Sequence, residues 1–180
     1  MTVAGVRNAS PDTAALEERG FDQLDFRRTM GRFPTGVTVV TMVGHDGHAY
    51  GVTVSAFMSV SLEPPLIAVS LGMRARAYPT LAASERFGVS VLAEDQADVS
   101  DRFAGRLPRT GPDPFVPFHG FPVVDGAVAH VVARMHSRFD AGDHTIFIGE
   151  VEALRTAPGR PLVFHGGRYE ALEHVPEKRG

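Results

Sequence analysis

Residues 53–61 read Thr53-Val54-Ser55-Ala56-Phe57-Met58-Ser59-Val60-Ser61, in which a threonine and three serines are interleaved with apolar side chains. A site for a flat ring system with polar edges needs this mixture. Small hydroxyls and backbone N–H groups meet ring oxygens and nitrogens, while apolar neighbours cover the ring face. A strand edge with no ligand would show the same alternation, and spacing alone does not separate the two readings. A second stretch, Gly142-Asp143-His144, lies between two long strand-like runs. A turn uses Gly and Asp for its own geometry; the histidine exceeds that need and is either a ligand contact or a surface residue. His45-Asp46-Gly47-His48 has metal-binding residue types but falls on a hairpin tip, and the other histidines lack ligand spacing, so no metal site is expected. His165-Gly166-Gly167 has the look of an oxyanion loop, yet no GxSxG elbow accompanies it, and a hairpin turn accounts for it.

Other common chemistries are missing from the sequence. There is no GxGxxG and no phosphate-cradling Walker loop. Cysteine is absent, which removes disulfides, thiol catalysis and cysteine–zinc sites. Redox chemistry would therefore run on a bound organic cofactor or a non-cysteine metal. The formal net charge of -3 argues against nucleic-acid binding, which needs a basic excess gathered on one face. No apolar run is long enough to span a bilayer, and residues 1–20 lack the apolar centre of a secretory signal. A cytoplasmic protein that binds neither membrane nor nucleic acid is the expectation. With 180 residues, 43% apolar and 22% charged, the chain suits one globular domain.

The elements that would position these residues are mostly strands. Residues 1–21 show no clean period and are expected to form a flexible arm with a short helix near Thr13–Arg19. Phe26, Met30 and Phe33 recur at helical spacing, with Asp22 or Asp25 as candidate caps and Pro34 as the stop. The period then becomes two. Strands are expected over Val37–Val43, Tyr50–Val54, Leu66–Leu71 (buried on both faces), Phe87–Leu92, Ala127–Arg138 and Thr145–Leu154. Asp46-Gly47 turns the first hairpin, and Leu162–His165 and Arg168–Leu172 make a last hairpin around Gly166-Gly167. Short helices are expected near Thr80–Ser84 and over Ala97–Phe103. Residues 105–122 contain five prolines and read as an ordered loop or lid without regular structure. Asp140–His144 reads as the connection between the two longest strands. With no strand–helix alternation, a closed or sandwiched antiparallel β fold is expected.

These segments resemble the short-chain flavin reductase family, whose members share the FMN-binding split β-barrel fold. The resemblance is carried, in the family's order, by residues 26–41 (FRRTMGRFPTGVTVVT), 51–66 (GVTVSAFMSVSLEPPL), 86–92 (RFGVSVL), 142–151 (GDHTIFIGEV) and 161–169 (PLVFHGGRY). It spans nearly all of residues 22–172, the expected domain, and leaves 173–180 as a tail. No one segment is decisive, but the ordered set is highly specific.

The resemblance implies a mainly β split barrel with Greek-key connections, working as a homodimer with flavin near the subunit interface. It implies reduction of FMN or FAD by NADH, with NADPH as the alternative. It also implies delivery of the reduced flavin by diffusion to a partner flavin-dependent monooxygenase. By motif, Pro34, Thr35, Gly36 and Val37 would approach the ring. Thr53, Val54, Ser55 and Ala56 would line its edge, with Ser59 and Ser61 nearby. Ser70, Leu71, Arg74 and Arg76 would reach the ribityl chain and phosphate, the guanidinium being suited to grip phosphate oxygens. His144 would position the nicotinamide, and Phe164 and Tyr169 would meet the nucleotide. The chain departs from many relatives at Ala75 and Ala77, where Ser or Thr is usual. Two other readings stay open: a flavoprotein that keeps FMN and oxidises its own substrate, and a non-catalytic flavin-binding barrel.

Overall fold

A computed structural model describes residues 20–108 and 110–172. The helix expected near Thr13–Arg19 and the tail at 173–180 lie outside the described residues. Helix α1 (Gln23–Met30) begins at Asp22, whose side chain accepts from Asp25 N at 2.7 Å while Asp25 accepts from Asp22 N at 3.3 Å. This reciprocal capping satisfies two otherwise orphaned N–H groups. The helix ends at Gly31, ahead of Pro34, and leaves Leu24, Phe26 and Met30 exposed.

The strands follow as β1 (Thr35–Gly36), β2 (Thr38–Val43), β3 (Ala49–Val54), β4 (Phe57–Leu62) and β5 (Pro65–Gly72). Helix α2 (Tyr78–Ala83), strand β6 (Arg86–Val91) and helix α3 (Ala97–Phe103) come next. The chain continues through β7 (Phe115–Phe118), β8 (Phe121–Val124), β9 (Ala129–Ala141), β10 (His144–Thr156), β11 (Val163–His165) and β12 (Arg168–Glu170). Seven strands form an antiparallel sheet in the order β3-β2-β6-β9-β10-β5-β4. The fold is mainly β, as expected.

The sheet curls around one core. Val40 and Met42 of β2, Val54 of β3, Val69 and Leu71 of β5, Phe87 and Val89 of β6, and Phe147 of β10 form a single buried cluster. Strands far apart in the sheet order thus share an interior. Burying a side chain of this size contributes about 1.5–3 kcal/mol, and that sum drives the curl. The other face of β2 is covered as well. Val37 and Val39 pack with Leu92, Phe103, Val124 and Leu162 in a second cluster. Alternate residues therefore feed opposite cores, which is why the run at Val37 is apolar throughout.

Two expectations are corrected. Residues 105–122 are expected as chain without regular structure, but 115–124 form the β7–β8 hairpin, with Pro117 opposite Pro122. Both strands are edges of a two-stranded ladder, so prolines without a donor are tolerated. The turn uses His119 and Gly120, both at positive φ (49° and 70°), the conformation a tight two-residue hairpin requires. Thr41 Oγ1 donates to Pro122 O at 2.6 Å and Val124 N donates to Ser90 Oγ at 2.9 Å, tying the hairpin onto β2 and β6. The β9–β10 connection is also shorter than expected. The ladder runs to Ala141↔His144, leaving Gly142 (φ 63°) and Asp143 as the whole turn.

Candidate functional site

Three cavities surround the corner where β3 passes into β4. The first, about 710 Å³, is lined by Pro34, Thr35, Gly36, Ser55, Ala56 and Ser70 with Phe33, Phe57, Met58, Val69 and Ile146. The second, about 150 Å³, is lined by Val37, Thr53, Ser55, Ser100, Ala104, Arg106, Phe164 and Tyr169. The third, about 450 Å³, is lined by Thr53, Leu71, Ala75, Arg76, Ala77, Thr80 and Arg102 among others. Ser55 is common to the first two, and Thr53 and Ala104 to the last two. The segment singled out at Thr53 is therefore the hinge of one branched groove.

Local structure explains how the corner is held. Thr38 Oγ1 donates to Val54 O at 2.6 Å, and Phe57 N donates to Ser55 O at 3.1 Å. The chain bends at Ser55, between strands that lie at opposite edges of the sheet, and leaves the side chains of Ser55 and Ala56 exposed. Thr53 is also a latch: its hydroxyl donates to Ser100 O of α3 at 2.7 Å, so its one proton is spent inside the protein. Val54 points into the core at 5% exposure, and only its backbone can face a ligand. Ser59 and Ser61, on β4, line none of the three cavities.

The far wall comes from the other end of the chain. β1 pairs with β11, setting Thr35 opposite Phe164, and β11 pairs with β12, setting Phe164 opposite Tyr169. The Phe164 and Tyr169 rings meet edge-on, centroids 5.5 Å apart. Tyr169 donates its hydroxyl proton to Asp101 Oδ1 at 2.6 Å and lies 2.9 Å from Ser100 Oγ. Burial, aided by the Asp101 carboxylate, pushes the phenol above its usual range. Asp101 also pairs with Arg106 at 3.1 Å, and the Arg106 guanidinium lies 5.6 Å from the centre of the Phe164 ring. Ser100, Asp101, Ala104 and Arg106 escape a reading by motif. The only sequence signal nearby is the short helix expected over Ala97–Phe103, which leaves out Ala104 and Arg106, and nothing in it says that the helix abuts Thr53 and Tyr169.

His144 lines none of the cavities, but it sits one strand step from them. It pairs with Gly72, and Ile146 pairs with Ser70. Residues two apart share a face, so His144 projects on the side of Ile146, at the rim of the largest cavity. Its Nδ1 lies 2.7 Å from Asp143 Oδ1. That hydrogen bond and the histidine charge hold the Asp143 carboxyl below its usual range, with Arg74 adding to the effect. A carboxylate at Nδ1 favours the tautomer with Nδ1–H and leaves Nε2 for a ligand. Arg74 is exposed beside this turn, whereas Arg76 faces the third cavity. Ala75 and Ala77 pack against the main core, so methyl contact holds the loop where hydroxyls are absent. Among the described residues no helix is long and apolar enough to cross a membrane.

The groove suits a flavin. Its largest chamber has apolar walls and hydroxyls along one edge, and Gly36 opens onto space that a side chain would enter. Residues 30–173 match the model of the flavin reductase like domain. The chain is 40% identical over 164 residues to an NADH-dependent flavin reductase of a Rhodococcus species, covering 90% of this chain and 93% of the relative. It is 39% identical to the reductase subunit of a flavin-dependent monooxygenase of Mycobacterium tuberculosis, covering 87% and 85%. The solved NADH:FAD oxidoreductase of Streptomyces globisporus, in complex with NAD and FAD fragments, superposes with a TM-score of 0.78 at 38% identity, covering 87% of this chain and 95% of the other.

Proposed function

The chain belongs to the flavin reductase like family, and on that footing we propose that it oxidises NADH, or NADPH, and reduces FMN or FAD lying against the corner at Thr53–Ala56. The observation that carries this reading is the chamber of about 710 Å³ with apolar walls and Thr35, Ser55 and Ser70 along its edge. The cofactors supply the redox chemistry, a hydride passing from nicotinamide to flavin. The protein's contribution is placement, because holding two rings in register removes much of the entropic barrier.

Thr35, Gly36 and the backbone of Val54–Ala56 meet the ring edge. Ser70 and Leu71 border the ribityl chain, and Arg76, with Arg74 behind it, attracts the phosphate. Phe164 and Tyr169 form the wall toward the nicotinamide nucleotide, and His144 presents Nε2 at the rim. No general acid or base is needed for the hydride step, in keeping with the lining of these three cavities, which among the described residues brings no two carboxylates together.

The reduced flavin leaves for a flavin-dependent monooxygenase, as the similarity to a monooxygenase reductase subunit supports. The working form is a cytoplasmic homodimer of the domain at 22–172. Apolar exposure supports the dimer: Met58, Val60 and Leu62 on the edge strand β4 are 60%, 47% and 91% exposed, and Phe33 beside them is 74% exposed. Patches of this kind mark interaction surfaces, and this one borders the open side of the flavin chamber.

The test is NADH oxidation followed by absorbance while FMN or FAD is titrated. Saturable dependence on added flavin is expected. Oxidation independent of added flavin by a yellow protein would indicate retained FMN, and no oxidation at all would remove the catalytic reading. Sedimentation analysis reads the dimer.

A further inference from the structure

A fourth cavity, about 510 Å³, lies beyond the third, at the tip of the β2–β3 hairpin. It is walled by His45, Asp46, Tyr50, Pro79, Thr80 and Ala83. Tyr50 and Thr80 also line the third cavity, so the groove runs on along β3 from Thr53 past Gly51 and Tyr50. From Thr53 to Ala49 the strand covers about 13 Å at ~3.3 Å per residue. No motif reading and no part of the reaction accounts for this extension.

We propose that the extension binds the adenosine end of FAD and makes this chain selective for FAD over FMN. The inference rests on the flavin reading above, which sends the ribityl chain from Thr53 toward Arg76. Charge along the groove changes in the order that FAD requires. Cations come midway: Arg102 is tied to Asp113 at 2.8 Å, while Arg76 has no ion pair among the described residues and is open to a pyrophosphate.

At the far end the polarity reverses. Asp46 accepts from Tyr50 Oη at 2.6 Å and from His48 N at 3.0 Å. Those two bonds fix the carboxylate and leave acceptor capacity on both oxygens. Ribose hydroxyls and an adenine amino group are donors and suit such an end, whereas a terminal phosphate would be repelled by it. Tyr50 and Pro79 offer flat apolar walls for a purine. Gly44 keeps the tip tight, since a Cβ there would lie 2.7 Å from both Asp46 Oδ1 and the Tyr50 ring.

The experiment measures dissociation constants for FAD, FMN and riboflavin by flavin fluorescence, without NADH, on the wild-type chain, Ala83→Phe and Asp46→Asn. Ala83 is an exposed helical residue facing this cavity, so a larger side chain there fills the chamber without entering the core. The wild type is expected to bind FAD about tenfold more tightly than FMN, the scale of one hydrogen bond to a charged group. Ala83→Phe should bring the two flavins to within about twofold, and Asp46→Asn should weaken FAD several-fold while FMN moves little. Equal wild-type affinities, or an Ala83→Phe effect of the same size on FMN and riboflavin, would overturn the proposal. In a companion steady-state NADH oxidation assay, a rise in KM for NADH in Ala83→Phe that is the same with either flavin would also overturn it, assigning the cavity to the nicotinamide nucleotide. A chain that binds FAD selectively but reduces no flavin would sink the reductase reading and leave this one standing.

Discussion

Tyr169, three residues before the last described one, donates its hydroxyl proton to Asp101 of α3 across 2.6 Å. One bond between residues 68 apart joins the C-terminal hairpin to the helix that also receives Thr53. The wall and floor of the groove are thereby a single unit. Tyr169→Phe keeps the ring against Phe164 and removes the bond. A loss of about 1 kcal/mol in stability is expected, with a several-fold rise in the Michaelis constant for flavin as the wall loosens. Urea unfolding and steady-state kinetics check the two parts, and an unchanged flavin constant would separate the hairpin from the site.

His144→Ala should raise the Michaelis constant for NADH clearly and leave flavin affinity nearly intact, because the ring stands at the rim and not within the chamber. Asp143→Asn should act in the same direction more weakly. The Asp143 carboxyl is held below its usual range by the His144 hydrogen bond. That stabilisation is present above the carboxylate's unfolded-state value and is lost as pH falls through the lowered one. Wild-type kcat/KM for NADH should therefore hold through mildly acidic pH and decline in the acid range. An identical pH profile in Asp143→Asn would exclude the pair from nucleotide binding.

His130 is read as neutral. Arg155 Nε can only donate, so His130 Nδ1, 3.1 Å away, accepts, and Nε2–H donates to Val124 O at 2.6 Å. Burial lowers the pKa of this ring, against the opposing effect of the Val124 bond. The unfolded chain then binds the proton more readily than the native one. Stability should be flat above about pH 6.5 and should fall as pH drops below it toward the lowered value. His130→Gln should flatten that part of the curve of melting temperature against pH. The same slope in both proteins would show that other groups carry the acid sensitivity.

Gly149→Ala is expected to cost about 1–3 kcal/mol as an overpacking substitution. A Cβ at this position would lie 2.5 Å from Phe87 Cζ and 2.9 Å from the Ala133 Cβ. Phe87 and Ala133 are fully buried and cannot step aside. Chemical denaturation reads the loss directly; a neutral result would mean that β10 shifts at its neighbouring bulge.

The sequence alone determined the strand-rich class and the first helix, with Asp22 or Asp25 as its cap, and it marked the segment at Thr53 without separating a ligand site from a bare strand edge, because each depends on local periodicity and local residue chemistry. It also carried the ordered motifs of the family. It misread residues 115–122, since proline signals irregular chain unless the ladder is two edge strands, and that fact belongs to the sheet arrangement. It shortened β9 and β10, because Gly142 and Asp143 look the same in a two-residue turn and in a longer loop. Only the tertiary structure decided that α3 would face the groove, that Thr53 would spend its proton on Ser100, and that Val54 would turn inward. It alone decided that the cavity at the β2–β3 tip would share Tyr50 and Thr80 with the groove. Those outcomes follow from how a curled sheet brings distant strands and a helix to one surface, and no spacing along the chain encodes that separation in space.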